Sequence, residues 1–125
     1  MRTEADERDR AFWVEGFHDY LSFEAGSSPN TVRAYVRDLR RLAQYAVSRG
    51  AKTPGAITPK LLREFVFHLK DVGLAPASIR RQISSVHTYF QFLLGERHVG
   101  SDPSERLEAP KGWHKLPEVL TRDEV

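Results

Sequence analysis

Residues 75–94 read Ala75-Pro-Ala-Ser-Ile-Arg-Arg-Gln-Ile-Ser-Ser-Val-His-Thr-Tyr-Phe-Gln-Phe-Leu-Leu94, and their spacing decides the fold. Apolar residues return at Ile79, Ile83, Val86, Phe90 and Leu93, the period of one face of an α-helix. The other faces of the first three turns carry Ser78, Arg80, Arg81, Ser84, Ser85, His87 and Thr88, and the stretch contains no carboxylate. A solvated helix face usually mixes both signs of charge. One that offers only hydroxyls and positive charge suits phosphates and base edges.

Upstream, three further helices can be read and no convincing strand. The first is expected from about residue 9 to residue 25, with Phe12, Trp13, Phe17, Tyr20 and Leu21 as its apolar stripe and Gly26 at its end. Gly16 inside it implies a close approach by another helix, because an interior glycine costs about 1 kcal/mol relative to alanine. The second starts with Ser28 as N-cap and Pro29 at the first helical position, and runs to Arg49 before Gly50. Its inner face is Val32, Tyr35, Val36, Leu39, Leu42, Ala43 and Ala46, while Arg33, Arg37, Arg40 and Arg41 are opposed by Asp38 alone. Arginines in a first helical turn oppose the macrodipole, so this stripe is poor design for stability and better design for a partner. The third is scaffold: Thr58 caps it, Pro59 begins it, Leu62, Phe65, Val66, Leu69 and Val72 face inward, and Gly73 stops it. The fourth is the opening stretch, ending near Gly95.

After the fourth helix, Asp102-Pro103-Ser104-Glu105 announces one short turn of helix, and residues 109–117 have linker chemistry. Thr121-Arg122-Asp123-Glu124 is a capping box with one residue after it, the pattern of a chain cut at a domain boundary. The expected organisation is a flexible N-terminus over 1–8, a helical domain over 9–108, and a linker leading into a further domain over 109–125.

Composition narrows the function. Hydrophobic residues at 40% and charged residues at 29% place the chain among globular proteins. No apolar run approaches the roughly 18 residues that span a membrane, and the charged N-terminus lacks a signal peptide, so a cytoplasmic protein is expected. Without cysteine there is no disulfide or thiolate chemistry, and the five scattered histidines suggest no metal site. No cofactor and no small-molecule substrate are called for. The net charge of +2 conceals a basic middle: residues 28–98 hold twelve basic and four acidic groups, against three and seven before them and four and six after. Such asymmetry points to a polyanion.

Helical-wheel angles place Arg33, Ala34, Arg37 and Arg41 away from the core on the second helix. On the fourth they place Arg81, Ser85 and Thr88 outward, with Ser78 and Arg80 toward its start. Arginine bonds guanine bidentately or bridges phosphates, and small residues such as Ala34 and Ser85 let a helix lie deep in a major groove. The alternative is that the serines are packing residues and the arginines merely solvated. Tyr20, Tyr35, Tyr45 and Tyr89 lie on or beside apolar stripes and read as core aromatics. Phe92 falls outside the stripe, as Trp113 does in the linker, and each is either an ordinary exposed aromatic or a contact to another domain or subunit. No acid, base and nucleophile come together, so no catalytic residue is assigned.

Three motifs in order then carry a resemblance. Ser28-x-x-Thr31-x-x-x-Tyr35-x-x-Asp38-Leu39, Arg81-x-x-Ser84-x-x-x-x-x-Phe90-x-x-Leu93, and the closing run of Asp102-Pro103, Pro110-Lys111, Leu116-Pro117, Leu120-Thr121 and Glu124-Val125 are similar to the N-terminal core-binding domain of tyrosine recombinases. The likeness is greatest to the bacterial Xer-type integrases. It implies an all-α, four-helix SAM-like orthogonal bundle with a C-terminal linker to a catalytic domain, the two closing as a C-shaped clamp on duplex DNA. It also implies DNA contacts at Ser28, Thr31, Arg33, Ala34 and Arg37 and at Ser78, Arg80, Arg81, Gln82 and Ser85. The first helix is implied to touch neighbouring protomers of a homo- or hetero-tetramer on DNA. Ile83 stands where the family commonly has leucine, and His87 where it often has arginine, so a phosphate contact at His87 is weaker. The cleaving tyrosine, its arginines and its histidine belong to the catalytic domain, and their HxxR signature is absent here. Expected roles are DNA recombination, DNA integration or chromosome partition; a stand-alone helical DNA-binding regulator or a protein-interaction module are the alternatives.

Overall fold

The computed structural model describes residues 2–110, and these are all helical, turn or loop, with no strand among them. The chain forms α1 (Glu4–Ala11), α2 (Val14–Asp19) continued by a π-helical turn (Tyr20–Glu24), α3 (Pro29–Ser48), α4 (Pro59–Asp71) and α5 (Pro76–Gly95). This is the all-α class expected from the apolar spacing. The linker from Lys111 onward, with Trp113 and the Thr121 capping box, lies outside the described residues.

The three long helices begin and end where the sequence puts them. Ser28 Oγ accepts from Thr31 N–H at 3.2 Å, and Thr58 Oγ1 accepts from Leu61 N–H at 3.0 Å. Each side chain thereby satisfies one of the N–H groups that a helix start leaves unpaired. Gly50 and Gly73 follow α3 and α4 at φ +91° and +92°, the left-handed conformation that reverses the chain after a helix. α5 differs at both ends. Ala75 at its N-cap offers no side-chain acceptor, and Arg97 rather than a glycine takes the positive φ, 63°.

The first expected helix is two helices. Thr3 and Asp6 form a capping box that starts α1 at Glu4, inside the stretch read as an N-terminal tail. Trp13 then adopts φ 59°, ψ 39° and breaks the helix. The break changes which residues face inward: Phe12, Val14, Phe17 and Leu21 are buried, and Trp13 turns outward to 44% exposure. Its indole stacks on the His98 ring, with centroids 3.7 Å apart and planes 5° from parallel. That contact ties the start of the bundle to the loop after α5.

Gly16 and Phe92 explain each other. A Cβ on Gly16 would meet Phe92 Cζ at 3.2 Å, so the glycine lets α2 settle on that ring. Phe92 is therefore buried, 5% exposed, among Phe17, Tyr20 and Tyr89, and not outside the core as its place on the wheel implied. Tyr89 is equally enclosed, and its hydroxyl donates to Phe12 O at 2.7 Å. Val72, expected inside, is 58% exposed because α4 has already ended at Asp71. The Asp102–Glu105 segment makes turns and not a helix: Asp102 Oδ1 accepts from Ser104 N–H at 2.8 Å and from Ser104 Oγ at 2.6 Å.

Candidate nucleic-acid interface

α3 and α5 pack against each other, and the carboxylate of Asp38 lies at their contact, fully buried. An isolated buried carboxylate is very costly, so the fold must surround it with donors. Arg81 supplies a fork: Nε donates to Oδ2 at 2.9 Å and Nη2 to Oδ1 at 2.8 Å. Arg41 Nη1 stands 3.5 Å from Oδ1 and also donates to Gln82 Oε1 at 3.2 Å. Gln82 completes the ring, its Nε2 donating to the backbone O of Asp38 at 2.9 Å. The bond to Asp38 raises the Arg81 pKa further above its ordinary value, with desolvation opposing. Two guanidiniums around one carboxylate leave a net positive charge, and both remain about one-third exposed.

Sequence reading saw Asp38 only as a lone acid among arginines. Its partners lie 43 and 44 residues downstream, and nothing in the local pattern of α3 announces them. The signal that was available is the reciprocal one: a single carboxylate on one basic helix, and no carboxylate on the other.

The remaining expected contacts divide by depth. Arg33, Arg37 and Arg80 are exposed, and Thr31, Ala34, Ser78 and Thr88 are half-buried. Ser28 and Thr31 bond to each other at 3.1 Å, and Arg33 reaches back to Asn30 Oδ1. Among the described residues Arg37 and Arg80 have no ion-pair partner. Gln82 and Ser85, by contrast, are 1% and 3% exposed, and the Ser85 hydroxyl donates to Gln82 O at 2.8 Å. The outward placement expected of Ser85 is not met: it is a small residue that lets α5 approach its neighbours. His87 is also occupied. Its Nε2 lies 2.9 Å from Leu107 O, which can only accept, so this nitrogen carries the hydrogen; Nδ1 lies 3.2 Å from Ser104 Oγ. His87 thus straps the segment after α5 to the bundle instead of facing outward. Arg40, part of the sequence stripe, is drawn aside to Asp9 of α1 at 3.0 Å.

The two helices thus leave Arg33 and Arg37 of α3 and Arg80 of α5 exposed, hold Arg41 and Arg81 partly exposed between them, and carry no carboxylate but the buried Asp38. Such arginines can take phosphate oxygens and, as forks, base edges. Among the described residues there is no group of three His, Asp or Glu side chains placed to hold a metal ion, and no helix long and apolar enough to cross a membrane.

The family described as phage integrase, N-terminal SAM-like domain matches residues 14–97, the span from α2 to the turn after α5. The chain belongs to this family. Relatives are of the Xer type: tyrosine recombinase XerD of Oceanobacillus iheyensis is 39% identical over 113 residues, covering 90% of this chain and 38% of that protein. XerD of Staphylococcus epidermidis is 35% identical, and XerD of Staphylococcus aureus 36%, each over 112 residues with the same coverage. The chain therefore spans well under half the length of the curated relatives it matches. No solved structure matches it. Within the SAM-like span lie both arginine-bearing helices and the whole Asp38 node, whereas α1 and the His87-held segment around Ser104 and Leu107 fall outside it.

Proposed function

We propose that this SAM-like domain binds duplex DNA for a site-specific tyrosine recombinase, laying α3 and the first half of α5 against the duplex. The observation that carries this reading is the node at Asp38. It fixes Arg41 and Arg81 between α3 and α5, the two helices that also carry the exposed Arg33, Arg37 and Arg80 and whose one carboxylate is the buried Asp38. Scattered solvated arginines would not need such support. The uncapped start of α5 adds backbone N–H groups at the same end. Ser28, Thr31, Ala34, Ser78 and Thr88 lie near enough to the surface to serve as further contacts, while Gln82, Ser85 and His87 act as supports for that face.

In this reading strand cleavage falls to a separate catalytic domain. The proposal gives the domain the task of gripping DNA in the cytoplasm alongside further recombinase protomers, in recombination, integration or chromosome partition. Binding of a labelled random-sequence duplex, measured against salt, tests it. Each neutralised phosphate contributes about −0.9 to the slope of log K against log salt, so five arginines predict a slope of about −3 to −5. An affinity indifferent to salt would overturn the reading.

A further inference from the structure

A cavity opens beside Arg41, where α3 runs on past the Asp38 node. It has a volume of about 450 Å³ and is lined by Arg41, Gln44, Tyr45, Ser48 and Arg49 of α3 together with His68 of α4. Tyr45 is 7% exposed and packed on Phe65 and His68, with ring centroids 5.1 and 5.0 Å away. The Arg49 guanidinium lies over the same ring, 5.0 Å from its centroid. Yet the buried Tyr45 hydroxyl donates to no group of the described residues; the polar group close to it is the Arg49 guanidinium, which can only donate. Buried hydroxyls are almost always paired, and an unpaired donor in a native fold calls for an explanation such as an absent water or ion. The neighbouring Ser48 hydroxyl does not serve it, since it donates to Tyr45 O at 2.6 Å. Glu64, the nearby carboxylate on α4, is drawn to Lys60 at 3.9 Å.

We infer that this cavity is a binding site for a phosphate-class oxyanion, held by Arg41 and Arg49 with the Tyr45 hydroxyl as a third donor. The charge of the wall is positive, and the donors come from successive turns of one helix, so they can address different oxygens of a tetrahedral anion. Arg41 is the link to the rest of the molecule, because it lines the cavity and also reaches Asp38 and Gln82. The phosphate has two possible sources: a phosphodiester of bound DNA, which rests on the function proposed above, or a free phosphate, which does not.

Phosphorus-NMR titration of the full chain with inorganic phosphate, beside duplex binding by the same proteins, tests this. Tyr45→Phe removes the hydroxyl and keeps the ring, and Arg49→Gln serves as a second variant. The expected result is phosphate binding by the unaltered chain, weakened roughly tenfold in each variant, as for the loss of one hydrogen bond to a charged group. The melting temperature of Tyr45→Phe should change little, because all that is lost within the fold is a contact with the exposed Arg49 guanidinium. If the DNA backbone is the source, Arg49→Gln also lowers duplex affinity and flattens the salt slope by about one. If free phosphate is the source, duplex binding is unchanged in both variants. No phosphate binding by the unaltered chain, or binding indifferent to both substitutions, would overturn the site. Failure of the unaltered chain to bind duplex would sink the DNA reading alone, since the phosphate titration still answers by itself.

Discussion

The two halves of α5 are built on opposite principles. Its second half is largely aromatic: Tyr89, Phe90, Phe92 and Leu93 are buried, Tyr89 and Phe92 meet Phe17 of α2, and Phe92 also meets Tyr20 of the turn that extends it. Its first half is polar at depth, where Arg81 and Gln82 reach across to Asp38 on α3. Apolar packing holds a helix in place without caring what lies on its other side. A buried ion pair is a weak source of stability, because desolvation offsets much of the attraction, but it fixes the direction of the groups it contains. The contrast teaches that α5 is held in the core along its whole length, by Ile79, Ile83 and Val86 as well as by the aromatic half, and that its first half also fixes Arg81 and Gln82 at some cost.

The sharpest way to break this division is at Phe92. Phe92→Ala removes a buried ring against Gly16 and should lower unfolding free energy by about 3–5 kcal/mol in urea titrations. Duplex affinity of the protein that remains folded should not change. A large loss of affinity at full folding would show that the aromatic half is not scaffold alone.

Asp38→Asn probes the other half. The amide keeps the shape but gives up the charge, leaving two partly exposed arginines without their carboxylate, and a loss of about 2 kcal/mol is expected. The effect on DNA separates two roles. Removing a carboxylate from a basic face raises affinity if charge is all that counts, and lowers it if Asp38 aims Arg41 and Arg81. The expected outcome is lower affinity, and a tighter complex would refute the positioning role.

Alkaline pH should act on the scaffold half. Burial pushes the Tyr89 phenol well above its ordinary value, and burial raises Tyr45 as well, with the charge of Arg49 opposing. An unfolded tyrosine releases its proton near pH 10, whereas Tyr89 retains its own in the fold. The unfolded state then holds fewer protons than the folded one. Stability is therefore complete below about pH 10 and falls as pH rises above it, by up to about 1.4 kcal/mol per unit from Tyr89, with Tyr45 adding in the same direction. Urea midpoints from about pH 8 to pH 11 should show the decline, shallower in Tyr89→Phe. An identical slope in that variant would exclude Tyr89 as a source.

These regions also differ in how much of them the sequence discloses. α3, α4 and α5 follow from local rules alone: a proline at the first position, an apolar period near 3.6, and glycine after α3 and α4. α1 could not be seen that way, because none of its residues is buried and its only marks are the Thr3 and Asp6 caps. The break at Trp13 was hidden because Phe12, Trp13 and Phe17 mimic an unbroken stripe, and only a tertiary contact to His98 makes the left-handed turn worthwhile. At the candidate site the wheel gave the exposure of Arg33 and Arg37 correctly. It failed at Ser85, and the family resemblance gave Gln82 as a DNA contact; both lie buried, because Gln82 donates across to the Asp38 backbone O and Ser85 to Gln82 O. Local period reports which face is apolar, but it does not report which polar residues are paired in depth.

Arg33 and Arg37 should show the smallest effect on stability and a clear one on DNA. Both are exposed, and Arg33 engages only Asn30 one turn away. Replacing both with glutamine leaves helix propensity nearly intact and breaks no ion pair among the described residues. Unfolding free energy should therefore stay within about 0.5 kcal/mol of the parent. Duplex binding should weaken at low salt, with the slope of log K against log salt smaller by about two. The pair is the counterpart of Asp38: it contributes to the partner and nothing to the fold, whereas Asp38 serves the partner only through the fold. If the double substitution destabilises the domain as much as Asp38→Asn does, these arginines hold the bundle together, and the separation of gripping residues from supporting ones fails.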